Sequence, residues 1–419
     1  MITFVALLMF LQLGIGWEWS TLLCGLLSLP WVLKSFVREK VRRVGRFAIV
    51  LRIIEACIFG TLVASAFSFS TSTSWRIELI FITLLVLCMF CAWHELAARM
   101  YYERMLRPQE QRIYNAPKMF FSQASTVITY GAMIMVVGAL EVFYHNRRHA
   151  ITLSWSTAIY LLAGFYLLLF LYNFFVLRSP RVGDRHQSET LRSAVRAEVH
   201  VIDRILHKRH WLSIIACLFF YLLPQSLLFY TRVLFLYAPH SQSGLGCTLQ
   251  WIGLAQGTVG VVAFSAALGF GYWLERQPRY YRFNKAAFLL MGISPLVYHA
   301  MTLWPPATLG WLCVATFVAQ AAFGLGLNAC FPFVRYISGE RYRSTINYLY
   351  IPLVSLVMLP AIAASGWLVA HLGFHLFFAL DVLLLVPSVI AAFYGTHLIA
   401  ASSQVTSPYS HNNSDENEK

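Results

Sequence analysis

Seven ionisable side chains stand inside long apolar stretches of this chain: Glu55, His94, Glu95, Glu141, Arg232, His299 and Asp381. An ionisable group in hydrocarbon costs several kcal/mol, so such positions mark solute or proton pathways by default. A carboxyl or imidazole there can take up and release a proton, and we expect proton coupling from Glu95, His94 and Glu141. Adjacent helix positions point about 100° apart, so His94 and Glu95 do not share a face. Glu95 has two readings, a protonation site or an i, i+4 ion pair with Arg99. Glu141 and Arg232 fall near the outer ends of their stretches, where a pair could close a periplasmic mouth. Glu55 reads as an intrahelical partner of Arg52, and Asp381 as a helix-to-helix hydrogen bond.

The elements that must position these groups are membrane helices. The 419 residues are 58% hydrophobic, 16% aromatic and only 12% charged, more apolar surface than any soluble core needs. A bilayer core about 30 Å thick takes roughly 20 apolar residues per helix. Full spans are expected at 20–37, 47–68, 78–98, 119–142, 154–176, 212–237, 249–274, 284–304, 308–333, 346–370 and 373–399. Met1 to Ile15 precedes them and reaches only about 22 Å as a helix. We read it as a first helix that lacks its cytoplasmic half, a late start codon being one route to it, rather than as a signal peptide, since it has no basic leading region.

Lys and Arg fix the orientation, because the basic excess stays in the cytoplasm. Five alternate connections, beginning with Lys34 to Arg46, hold 26 of them, against only Arg76, Arg147 and Arg148 in the others. Topology and anionic lipid headgroups therefore account for the net charge of +14, and nucleic acid is not needed as a partner. The chain is expected to be a multi-pass protein of the bacterial inner membrane with a cytoplasmic C-terminus. The longest basic connection, 178–210, carries Leu191, Val195, Val199, Ile202 and Leu206 at helical spacing and divides the membrane region. Expected units are an N-terminal bundle (1–177), a cytoplasmic linker (178–210), a C-terminal bundle (211–400) and a polar, disordered cytoplasmic tail (401–419).

Enzyme chemistry finds little footing. There is no Asp-rich loop, HExxH or paired His and Asp cluster, which argues against a membrane-embedded transferase, and no metal or cofactor is expected. The eight cysteines lie almost entirely inside spans, and Cys88 and Cys91 form a CxxC within an apolar helix, away from any strand–helix redox setting.

Several segments resemble the muropeptide permease branch of the major facilitator superfamily. They are Leu26-Leu27-Ser28-Leu29-Pro30-Trp31-Val32-Leu33-Lys34, His94-Glu95-Leu96-Ala97-Ala98, Ile151-Thr152-Leu153-Ser154-Trp155, and Gly253-Leu254-Ala255-Gln256-Gly257-Thr258-Val259-Gly260. The resemblance implies an all-α polytopic fold of two six-helix bundles, twelve helices with the first truncated, around a central cavity. It also implies alternating access and proton-driven import of cell-wall muropeptides or related sugars, with small solute, protons and membrane lipids as partners of a monomer. The family's latch between its second and third helices has an aspartate where this chain has Arg42; the counterpart keeps Glu275, Arg276 and Arg279, which become the expected gate. Gln225 and Tyr230 stand where relatives often have an acid and a lysine, which removes charge from the cavity. On cavity-lining helices of that fold, Gln123, Tyr130, Gln225, Tyr230, Gln256, Gln320 and Asn328 are the expected solute contacts, with polar bonding between helices as the plainer reading of each. The altered latch and short first helix also admit a decayed transporter fold kept as a sensor or scaffold.

Overall fold

A chain crossing hydrocarbon must satisfy every backbone N–H and C=O internally, which long apolar runs do by forming helices. The computed structural model describes residues 2–34, 47–71, 75–177, 211–274, 289–338 and 343–405. The linker at 178–210, the tail from 406, and the proposed gate residues Glu275, Arg276 and Arg279 lie outside them, as do Arg42 and Arg46.

Twelve helices follow one another. They are α1 (Ile2–Gln12), α2 (Trp17–Leu27, turning at Ser28 and helical again to 34), α3 (Phe47–Ser68), α4 (Arg76–Met105), α5 (Pro108–Val127, continued as Met133–Phe143) and α6 (Ala150–Val176). After the linker come α7 (Trp211–Tyr237), α8 (Leu249–Ile252, continued as Val261–Leu274), α9 (Ile293–Leu303) and α10 (Leu309–Ser338). One hydrogen-bonded run, Arg343–Leu383, contains α11 (343–372) and the start of α12 (374–383), which continues as Leu385–Val405. Gly373 separates the two at φ 72° and ψ 164°, a left-handed conformation that glycine adopts without a Cβ penalty.

Among the described residues, eight helices are long and apolar enough to cross a membrane. The sequence suggests eleven. The difference has three sources: the expected spans at 20–37 and 284–304 run beyond the described residues, and the last two are joined in one helical run.

Successive helices cross in alternate directions, so one face carries the short connections 13–16, 144–149, 238–248 and 304–308 with the turn at Gly373. The basic connection between α4 and α5 lies on the other. Within the N-terminal bundle α3 packs on α4 and α6, and within the C-terminal bundle α8 and α9 pack on α10 while α7 packs on α12. Phe235 of α7 meets Phe374 and Phe378 of α12, with Phe377 and Tyr298 beside them, and this is the aromatic centre of the second bundle.

Two seams join the bundles, α2 against α11 and α5 against α8, and α1 also packs on α7. Lipid tails are as apolar as the helices, so association relies on close packing rather than on water exclusion. Glycine supplies the closeness. A Cβ on Gly257 of α8 would stand 2.6 Å from the Gly131 nitrogen of α5, and one on Gly253 would stand 2.8 Å from its carbonyl oxygen. At this contact both helices widen into π-helical turns, Ile128–Ala132 and Gly253–Gly260. On the other seam Gly366 of α11 abuts Thr21, and Gly25 of α2 faces Ala363. All these contacts lie in the half of the molecule nearer the short-connection face.

Candidate functional site

Beyond the glycine seams, towards the basic face, a cavity of about 290 Å³ opens between the bundles. It runs along α8 from Gln256 to Phe264, along α10 from Gln320 to Leu327, and along α11 from Ile362 back to Val354, while Phe4, Ser28 and Tyr130 close it from the N-terminal bundle. Its wall is mostly apolar with a few directed polar groups, the usual composition of a solute site. Gln256 donates from Nε2 to the Tyr298 hydroxyl at 2.6 Å, and Gln320 donates to Gln256 Oε1 at 3.4 Å, so the two amides are held by each other and by α9. Tyr130 stacks on Phe4 with ring centres 5.1 Å apart, and its buried hydroxyl has no hydrogen-bond partner.

Arg232 also lines this cavity, which corrects its expected place at a periplasmic mouth. It stands about five residues from the end of α7, but its side chain reaches the cavity, where the guanidinium carbon lies 5.1 Å from the Phe4 ring centre and 5.5 Å from that of Phe229. Glu141 is half-buried at the far end of α5 beside Gln12, which accepts from Trp155 Nε1 at 2.6 Å. No ion pair joins Glu141 to Arg232 among the described residues.

The seven expected solute contacts separate. Tyr130, Gln256 and Gln320 line the cavity. Gln225 instead donates to the Met291 carbonyl at 2.9 Å, bonding α7 to the turn before α9. Tyr230 is fully buried and donates to the Cys24 carbonyl at 3.2 Å, bonding α7 to α2. Asn328 is buried against Gly271 across the α8–α10 contact. Gln123 is half-exposed on α5, outside the lining.

In the N-terminal bundle a second polar group forms that the sequence did not assemble. Glu55 of α3 is buried, and its Oε1 lies 3.1 Å from His94 Nε2 of α4 and accepts from Asn173 Nδ2 of α6 at 2.9 Å; its Oε2 is buried without a partner. Arg52 is not the partner of Glu55: it donates to the Leu177 carbonyl at 2.7 Å and lies over Phe174. Nor does Glu95 take Arg99 at i+4. Glu95 accepts from Lys34 Nζ at 2.7 Å and from Trp31 Nε1 at 3.2 Å, tying α4 to α2, while Arg99 bonds to Glu103 at 3.2 Å. The expected helix-to-helix hydrogen bond of Asp381 is absent: the residue is fully buried and neither carboxylate oxygen has a partner among the described residues.

A smaller cavity of about 170 Å³ lies within the N-terminal bundle, walled by Ile2, Ile58, Leu84 and Ile159 among others, and offers almost no polar surface. It lacks the directed groups that a polar solute needs. All eight cysteines are free thiols, and at Cys247, in the connection before α8, burial pushes the thiol up to about 11.

No family model matches the chain, and no curated protein matches it. Solved structures do. A bacterial homologue of the human lysosomal transporter Spinster, inward-facing and unoccupied, superposes with a TM-score of 0.66 at 14% identity over 96% of this chain and 93% of that one. The nucleoside transporter NupG gives 0.63 at 14% identity over 95% and 94%. The E. coli xylose transporter in its inward-open conformation gives 0.61 at 12% identity over 94% and 91%. These likenesses establish the major-facilitator fold, all-helical, with two six-helix bundles facing each other across the cavity.

Proposed function

We propose that this protein is a secondary transporter that carries a small polar solute across a bilayer by alternating access. One observation supports the reading above all others. A cavity with directed polar groups sits where the two bundles meet, beside close glycine contacts between α5 and α8 and between α2 and α11. The similar solved structures are of sugar, nucleoside and other transporters, several of them inward-facing. The excess of Lys and Arg on one face supports placing that face, the linker and the C-terminus in the cytoplasm of a bacterial cell, with the protein in the inner membrane. The cavity then lies on the cytoplasmic side of its seams.

Import coupled to protons is the finer proposal. Buried Glu55 and partly exposed His94 form a carboxylate–imidazole pair able to hold a proton, with Glu95 and Glu141 as further carriers. Glu275, Arg276 and Arg279 are proposed to latch the cytoplasmic gate, and muropeptides or related sugars are the solute class that the sequence resemblance favours. Purified protein in proteoliposomes with an imposed proton gradient tests this directly. Gradient-driven accumulation of an anhydro-muropeptide, sugar or peptide from a panel is the expected result, and no accumulation of any of them contradicts it.

A further inference from the structure

Arg232 carries a charge that no described neighbour neutralises. The residue is only 6% exposed, and its Nε has no hydrogen-bond partner among the described residues. Among the described residues no carboxylate comes within ion-pair distance of it. Its neighbours are the faces of Phe4 and Phe229, which attract a cation but supply no counter-charge. Burying an ion without a counter-charge is unfavourable, which leaves a positive site at the cavity wall that a ligand can complete.

The rest of the wall defines the ligand further. Among the described residues that line the cavity, Arg232 is the one charged side chain. Tyr130 meets the same Phe4 ring from the N-terminal bundle, and its buried hydroxyl, without a partner among the described residues, can donate to an oxygen anion. Gln256 and Gln320 are already bonded to each other and to Tyr298, which leaves them as secondary contacts. Phe229, Phe264 and Phe323 supply flat apolar surface for a ring or hydrocarbon body.

We infer that the cavity takes an organic monoanion, its carboxylate on the Arg232 guanidinium and the Tyr130 hydroxyl, and its ring or apolar body against the phenylalanines. The inference rests on the transport reading in one respect, that the occupant of this cavity is the solute moved. A single fixed cation balances a carboxylate, whereas a phosphate monoester would leave a second charge uncompensated.

The test is equilibrium binding to the purified full chain, followed by tryptophan fluorescence, with pairs of probes that differ in the acid alone. Suitable pairs are N-acetylmuramic acid against N-acetylglucosamine, and phenylacetate against phenylacetamide, with glucose 6-phosphate as the phosphate arm. A charge-assisted hydrogen bond to a buried guanidinium should make at least one carboxylate bind about ten- to a hundredfold tighter than its neutral partner. Arg232→Gln should erase that preference, Arg232→Lys should restore part of it, and Tyr130→Phe should reduce it. No carboxylate preferred over its neutral partner by the parent overturns the proposal, as does a preference that survives Arg232→Gln. Tightest binding by the phosphate overturns the carboxylate assignment. Should Arg232→Gln fail to fold, the parent's own preference and Arg232→Lys decide. Proteoliposome uptake separates the two claims. Neutral sugars carried without anion preference would keep transport and overturn the anion site; carboxylate binding without uptake would keep the site and overturn transport.

Discussion

At the scale of single residues, the chemistry of the site depends on which buried polar groups have partners. Glu55 has two and Glu95 has two, yet their settings differ. Glu55 is buried between three helices, whereas Glu95 is about half exposed and paired with Lys34. An exposed ion pair contributes about 0–1 kcal/mol, so Glu95→Gln should cost little stability. Glu55→Gln can keep the bond from Asn173 but loses the charge opposite His94. We predict that it leaves the protein folded and abolishes the dependence of uptake on a proton gradient, while Glu95→Gln weakens that dependence less; the reverse order in a proteoliposome assay would refute the assignment to Glu55. Asp381 is the opposite case, a buried carboxyl with both oxygens unsatisfied. Replacing an unsatisfied buried polar group by an apolar one relieves about 1–3 kcal/mol. Asp381→Leu should therefore raise the thermal midpoint in detergent, and a lowered midpoint would mean that Asp381 has a partner in the folded protein. Sequence names these groups readily because charges are scarce in apolar runs. It does not say which way they point. In a bilayer the lipid-facing and core-facing sides of a helix are both apolar, so no periodicity marks the inner face. Arg232 illustrates the gap: position along α7 gives its depth near the helix end, but only the packed bundle reveals that its long side chain reaches the cavity.

Helices and seams follow a different logic. Span positions are legible from run length alone, because only helices satisfy the backbone in hydrocarbon. The meeting of α5 and α8 is less so. Gly131, Gly253 and Gly257 are visible as small residues, but their opposition depends on two helices from different bundles, and the π-helical turns at both sites carry no distinctive composition. Overpacking a close contact costs about 1–3 kcal/mol. Gly257→Val should therefore lower the thermal midpoint and impair uptake, because the added carbons would meet the Gly131 backbone. Gly164→Val on α6, where a Cβ meets nothing within 4 Å, serves as the control and should leave both unchanged. Equal effects of the two substitutions would show that the glycine seam does not hold the bundles together.

For the whole molecule, the proposed transport requires the two bundles to rock about the cavity between them. The segment resemblance and the basic asymmetry bring the twelve-helix layout within reach of the sequence, whereas the state of the cavity is a property of three-dimensional packing. Distances between the bundles test the central claim most directly. Spin labels on a cysteine-free background at Phe143→Cys and Trp304→Cys report the short-connection face, and at Phe175→Cys and Leu289→Cys the basic face; all four side chains are well exposed. Pulsed electron resonance would be recorded in liposomes with and without saturating solute and at two pH values. Alternating access predicts that the first distance lengthens under the conditions in which the second shortens. Distances that stay fixed in both pairs under every condition would contradict it.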